Sequence, residues 1–225
     1  MASPRLAHRK LRAEIVATAR RMNELGINHG KSGNLSHRIP GGFLVTPTGL
    51  DYDRLKPADI VAMRFDGTHK GSILPSSEWR FHADILEARP EINAVLHTHS
   101  VFATALACLR RDIPAFHYMV AVAGGDSIRC APYATFGTAE LSRHAVAALE
   151  GRKACLLANH GLIVLGASLK DALALGVEIE TLASIYCRVL ALGEPVLLDR
   201  TEMAIVIEKF KTYGQQPKGA RKTRP

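Results

Sequence analysis

The hexapeptide VLHTHS, residues 95–100, sets two histidines one residue apart at the end of an apolar run. On an extended strand, residues i and i+2 share a face, so the spacing predicts that His97 and His99 project together while Thr98 turns away. Two adjacent imidazoles are part of a metal site, since a catalytic zinc takes three protein ligands, histidine and carboxylate among them, and keeps one position open. In a chain with ten histidines such a pair also arises by chance. His160, in LLANHGLIVLG, falls between two apolar segments with Gly161 behind it. A histidine there either faces a cleft beside His97 and His99 or serves a turn. Glu78, in PSSEWRFH, is the natural carboxylate for such a site, or else an ordinary first-turn acid favoured by the helix dipole.

Three further segments have the composition of an anion cradle. KSGNLS combines small polar residues with a glycine that lets backbone amides turn toward an anion. TPTGL offers Thr48 and Gly49 after a rigid proline, and PSSEW offers two hydroxyls with the free N–H groups of a helix start. Each alone is equally a turn or a cap; their grouping around a metal site points to a phosphate.

The elements that must position these residues alternate along the chain. Residues 6–25 place Leu11, Ile15, Ala19 and Met22 at helical spacing and stop at Gly26. Strands NLSHRI and FLVTP flank the turn Pro40-Gly41-Gly42, and strand DIVAMRF closes at Asp66-Gly67. SSEWRFHADILEARP reads as a helix with a serine cap and Glu78 in its first turn, ending before Pro90. A strand over 94–99 carries the histidine pair, followed by a short helix (100–110), an irregular stretch (115–135) and a helix begun by Thr138. Strands ACLLA and LIVLG then flank the tripeptide NHG, and helices over 168–192 and 201–211 finish the pattern. Early hairpins and late helices predict an α/β fold, a three-layer α/β/α sandwich around a central mixed, largely antiparallel sheet. No G-x-G-x-x-G follows a strand, which removes support for a dinucleotide fold.

Composition narrows the class. With 225 residues, 47% hydrophobic and 22% charged, the chain has the make-up of a globular domain that buries a full core. Its net charge of +8 sits at the ends: Arg5, Arg9, Lys10 and Arg12 at one, Lys218, Arg221, Lys222 and Arg224 at the other. Those eight account for the excess of 29 basic over 21 acidic residues, so the body is neutral and the ends read as solvated tails, not a nucleic-acid surface. The N-terminal stretch lacks the apolar segment of a signal peptide, and no run reaches membrane-span length. Four scattered cysteines without C-x-x-C spacing fit buried thiols in a reducing compartment, hence the cytoplasm.

In order, SGN, TPTG, PSSEWRFH, HTHS and NHG resemble the class II aldolase/adducin family. The likeness extends through IPAFHYMVAVAGGDSIRCAPYATFGTAEL and EKFKTYG, so that it covers about residues 5–214 as a single domain, with 215–225 a basic tail. The resemblance implies one Zn2+ per subunit on His97, His99 and His160, with Glu78 as fourth ligand at rest and as catalytic base. It implies that Gly33, Asn34, Thr48, Gly49, Ser76 and Ser77 bind a substrate phosphate, and that Phe136, Phe210 and Tyr213 close over the aldehyde end. Tyr118 matches a tyrosine acid supplied by a neighbouring subunit, which makes the assembly a homotetramer with sites at its interfaces. The implied reaction cleaves a ketose 1-phosphate, L-fuculose 1-phosphate or a close analogue, into dihydroxyacetone phosphate and a small aldehyde such as lactaldehyde. Epimerases, dehydratases, decarboxylases and adducin-like binding modules share the scaffold; Glu78 and Tyr118 together favour the aldolase, and the three histidines argue against a pure binding module. Lys31 departs from the pattern, standing where an aldolase of the family has threonine, and faces either the anion or solvent.

Overall fold

The computed structural model describes residues 7–212. In chain order the elements are α1 (Arg9–Glu24), β1 (Asn34–Ile39), β2 (Gly42–Val45), β3 (Val61–Met63), α2 (Trp79–Ala88), β4 (Ala94–Thr98) and α3 (Val101–Cys108). They continue with β5 (Arg129–Ala131), α4 (Ala139–Ala148), β6 (Ala154–Leu157), β7 (Gly161–Gly166), α5 (Leu169–Leu192) and α6 (Arg200–Phe210). The strands form one seven-stranded sheet in the order β3-β2-β1-β4-β7-β6-β5. Every pairing is antiparallel except β5 with β6.

Successive residues on a strand point to opposite faces, so a sheet apolar on both faces needs cover on both. The central strands obey this rule. Ala94, Leu96, Leu156, Leu162 and Val164 join one core with Ile15 and Ala19 of α1, Leu106 of α3, Ile179 of α5 and Met203 of α6. Val95, Cys155, Leu157, Ile163 and Leu165 join the other, with Phe81 and Ile85 of α2 and Leu141 and Ala145 of α4. The result is the expected three-layer α/β/α sandwich on a mixed, largely antiparallel sheet. Side-chain caps set three helix starts: Thr138 accepts from the Leu141 amide, Ser168 from Asp171 and Asp199 from Glu202.

Three local expectations are corrected. The helix containing Glu78 has no serine cap and no acid in its first turn; Glu78 itself stands at the cap position, and its side chain does not cap. The Ser76 hydroxyl accepts the Glu78 amide instead, which leaves the Glu78 carboxylate free to turn inward. Strand β5 lies inside the stretch read as irregular, because three residues between a glycine pair and Pro132, paired on the sheet edge, carry no periodic signal. Arg12 is not a solvated tail residue: it is buried in α1, where its guanidinium donates to the carbonyls of Ala7 and Ile60. The C-terminal tail expected at 215–225 lies outside the described residues. Among those described, no helix is long and apolar enough to cross a membrane.

Candidate active site

Strand β4 lies at the centre of the sheet, and its C-terminal end carries the histidine pair. Its flanks are narrow by design. Asn34 of β1 pairs with His97, and Leu162 of β7 pairs with Thr98. A Cβ on Gly33 would come within 2.6 Å of the His97 carbonyl oxygen, and one on Gly161 within 2.5 Å of the Thr98 carbonyl oxygen. The same Gly161 Cβ would lie 3.0 Å from the His99 ring and 3.2 Å from the His97 ring. Glycine after His160 is therefore a packing requirement of the site, set by close approach and not by backbone strain. Asn159, the preceding residue, takes the left-handed conformation at φ 53°, which asparagine tolerates better than most residues.

This geometry draws His97, His99 and His160 together, with one ligating atom from each within 4.8 Å of the others. His97 Nδ1 is 3.0 Å from the Leu162 carbonyl oxygen. A carbonyl only accepts, so Nδ1 bears the proton and Nε2 keeps its lone pair. That Nε2 lies 3.0 Å from His99 Nε2 and 3.4 Å from Glu78 Oε2. Glu78 Oε1 approaches His160 Nε2 at 3.2 Å. Burial, with the neighbouring His99 ring adding to it, pushes His97 down to about 3. Burial likewise lowers His99, and burial with His97 beside it takes His160 to about 4. The rings are thus neutral at pH 7, the form in which histidine ligates metal.

The donor set fits a divalent metal of the zinc type: three imidazole nitrogens and a carboxylate converge, and one ring is already oriented by its outer hydrogen bond. Glu78 is only 5% exposed, and its buried Oε1 has no hydrogen-bond partner among the described residues. Its Oε2 accepts from Asn34 Nδ2 at 2.8 Å. A buried carboxylate between neutral rings calls for a cation.

The same residues open onto a cleft of about 340 Å³, lined by Ser32, Ser77, Glu78, His99 and His160 together with Tyr133, Phe136 and Asn159. Of the residues expected to bind phosphate, Ser77 faces this cleft, while Thr48 and Gly49 are exposed on the loop after β2. Ser76 is buried and occupied by the Glu78 amide, and the Asn34 side chain is committed to Glu78. Lys31 reaches across to that loop, with Nζ donating to the Gly49 carbonyl at 3.3 Å. Phe136 is in place at the cleft mouth and 63% exposed. Tyr118 and Phe210 are not: they stack at 6.3 Å in a separate cavity of about 590 Å³ with Phe116, Leu198 and Val206. Tyr213 lies outside the described residues.

Sequence reasoning missed Tyr133 and Asn159 at the cleft and, behind it, the buried pair Ser36 and His82. The signal for that pair was present: His82 follows Glu78 by four residues on a helix, and Ser36 follows Asn34 by two on a strand, so each shares its partner's face.

The sequence matches the family described as Class II Aldolase and Adducin N-terminal domain over residues 13–187. This chain belongs to the class II aldolase and adducin family. It is 58% identical over 204 residues to the 5-methylthioribulose-1-phosphate/5-deoxyribulose-1-phosphate aldolase of Rhodospirillum rubrum, covering 91% of this chain and 92% of the relative. It is 52% identical over 206 residues to the L-fuculose phosphate aldolase of Escherichia coli, covering 91% of this chain and 96% of that one. A solved L-fuculose 1-phosphate aldolase superposes with a TM-score of 0.87 at 42% identity, covering 94% of this chain and 98% of the other. With such relatives, the chain is an aldolase-type lyase.

Gly161→Ala is expected to displace the His97 and His99 rings, lowering stability by about 1–3 kcal/mol as overpacking does. Denaturant titration reads the stability, and calorimetry with zinc on chelator-treated protein should show weakened binding.

Proposed function

We propose that the chain cleaves a ketose 1-phosphate into dihydroxyacetone phosphate and a short aldehyde. The observation that carries this reading is the convergence of His97, His99 and His160 on the buried Glu78. His97, His99 and His160 would hold one zinc ion per subunit, with Glu78 as a fourth ligand at rest. A divalent cation there supplies a Lewis acid for the negative charge that carbon–carbon cleavage leaves on the departing fragment.

The protein groups handle the protons. In cleavage, Tyr118 of a neighbouring subunit takes the proton of the hydroxyl that becomes the aldehyde. The electron pair of the broken bond stays with the dihydroxyacetone phosphate fragment, and Glu78, protonated by exchange with solvent, delivers a proton to its carbon. Tyr118 returns its proton to solvent to close the cycle. Condensation reverses both transfers, with Glu78 as general base. Gly33, Asn34, Thr48, Gly49, Ser76 and Ser77 form the phosphate site in this reading, and Lys31, already against Gly49, adds a cation to it. The Asn34 side-chain amide is committed to Glu78. Ser76, whose backbone N–H donates to the Thr46 carbonyl and whose hydroxyl oxygen accepts the Glu78 amide, keeps its O–H proton for the phosphate. Phe136, Phe210 and Tyr213 close over the aldehyde end in this reading, Phe210 reaching it from a neighbouring subunit. The proposed assembly is a homotetramer with one domain over 1–214 and a basic tail at 215–225, located in the cytoplasm.

The substrate's far end remains a choice between two kinds named by the relatives: L-fuculose phosphate and the 5-substituted ribulose 1-phosphates. Tyr133, Ala134 and Phe136 give the cleft an apolar wall, which favours an aldehyde with an unhydroxylated tail, and the 58% relative points the same way. A methyl or hydroxyl difference is worth only about 1–3 kcal/mol in such a pocket, so both kinds belong in the test.

Zinc-loaded protein offered L-fuculose 1-phosphate, 5-deoxyribulose 1-phosphate and 5-methylthioribulose 1-phosphate is expected to release dihydroxyacetone phosphate, fastest from the latter two. Chelation should abolish release; silence on the whole panel refutes the reading. Glu78→Gln is expected to keep binding zinc while turnover drops about 10²–10⁴-fold, the usual contribution of a positioned base. Tyr118→Phe and His97→Ala subunits, denatured and reassembled together, should regain activity above either parent, because some interfaces then hold both intact groups. Zinc-bearing hybrids that stay dead would show that Tyr118 does not serve a neighbour.

A further inference from the structure

A base works only if its carboxylate holds one orientation, and the residues that impose it here run away from the histidines into the core. Asn34 Nδ2 lies 2.8 Å from Glu78 Oε2. A carboxylate has no proton to give, so the amide must turn its NH₂ to Glu78 and its oxygen the other way. That oxygen lies 2.6 Å from His82 Nε2, which must therefore carry the ring proton. In a neutral ring Nδ1 is then an acceptor, and the Ser36 hydroxyl, 2.8 Å away, is its donor. Every proton in the chain points the same way, from Ser36 through His82 and Asn34 to Glu78.

The fold delivers all four groups without a loop residue among the outer three. Asn34 and Ser36 share a face of β1, and His82 sits one turn beyond Glu78 on α2. Ser36 and His82 are fully buried and Asn34 is 4% exposed, so no water competes for these bonds. Left alone, the Asn34 amide could rotate by half a turn and set its oxygen against the carboxylate. An Nε2–H on His82 holds the Asn34 oxygen against that rotation, and the Ser36 hydroxyl satisfies the other ring nitrogen.

We propose that His82 is a positioning residue for Glu78, acting by locking the Asn34 amide with its NH₂ toward the carboxylate, while Ser36 satisfies its other ring nitrogen. The proposal rests on the role of Glu78 as base given above. A structural role alone would show as lost stability; a positioning role shows as altered metal affinity and turnover in folded protein.

The test uses the full-length protein and three variants. His82→Phe keeps a ring but removes both nitrogens, His82→Gln restores an N–H donor near the Nε2 position, and Ser36→Ala removes the hydroxyl that serves Nδ1. Nitrogen-15 NMR of the chelator-treated wild type is expected to show His82 as the Nε2–H tautomer, and Ser36→Ala is expected to keep it, since the Asn34 oxygen sets it. Competition calorimetry is expected to show zinc affinity about 10-fold weaker in His82→Phe, the usual effect of losing an outer partner, and largely recovered in His82→Gln. Retro-aldol kcat should fall by a similar factor with KM for the ketose phosphate unchanged. An Nδ1–H tautomer in the wild type, or a folded His82→Phe with unaltered zinc affinity and kcat, overturns the proposal. If His82→Phe does not fold, the wild-type tautomer carries the test, since an Nδ1–H ring would offer the Asn34 oxygen no donor. If the wild type binds zinc yet cleaves no ketose phosphate, the base role of Glu78 falls, and the tautomer and zinc affinities still decide the positioning role.

Discussion

A carboxylate buried among uncharged imidazoles is the constraint on which the rest of this structure depends. Removing a carboxylate from water costs several kcal/mol even after relaxation, and Glu78 is repaid by one amide hydrogen bond and no fixed positive charge among the described residues. The surrounding protein is arranged to keep that unfavourable group where it is. Burial holds His97 and His160 neutral near pH 7, so neither ring brings a positive charge to the site. The site is therefore built to gain most from a cation supplied from outside.

Holding three rings against one carboxylate requires backbone that comes unusually close. Strand β4 meets that need from the middle of the sheet, pinned on one side by β1 and on the other by β7. Gly33 and Gly161 line its carboxyl end on those two sides, and each leaves space that a methyl group would take from a backbone carbonyl. The helical layers add the remaining pieces: α2 begins at Glu78, and the same helix inserts Phe81 edge-on to His97 at 5.5 Å. Ring orientation thus follows from packing and register together, as a preorganised metal centre demands.

Two cavities divide the chemistry within one chain. In the proposed chemistry the histidine cleft holds the groups for charge and for one proton, whereas Tyr118 and Phe210 stack in a cavity of their own. A tyrosine 46% exposed at the edge of an apolar hollow is poorly placed for its own histidines and well placed to serve another copy. This division is what makes the proposed assembly part of the chemistry.

Much of this was legible in the sequence. The H-x-H spacing determined that His97 and His99 share a face, because a strand has period two, and early hairpins with late helices pointed to a sandwich covered on both sides. The order of short motifs determined the family. Other features needed the tertiary structure. Glu78 was legible as the carboxylate of the site, but its placement in the first turn of a serine-capped helix was not what folds: it stands at the cap position, Ser76 takes its amide and the carboxylate turns inward. Asn34 read as a phosphate residue, yet its amide lies between Glu78 and His82, because pairing β1 beside β4 under α2 brings residues more than forty positions apart into contact. Sequence carries local periodicity; which lone pair faces which proton is decided only when distant strands and helices meet at a fixed register.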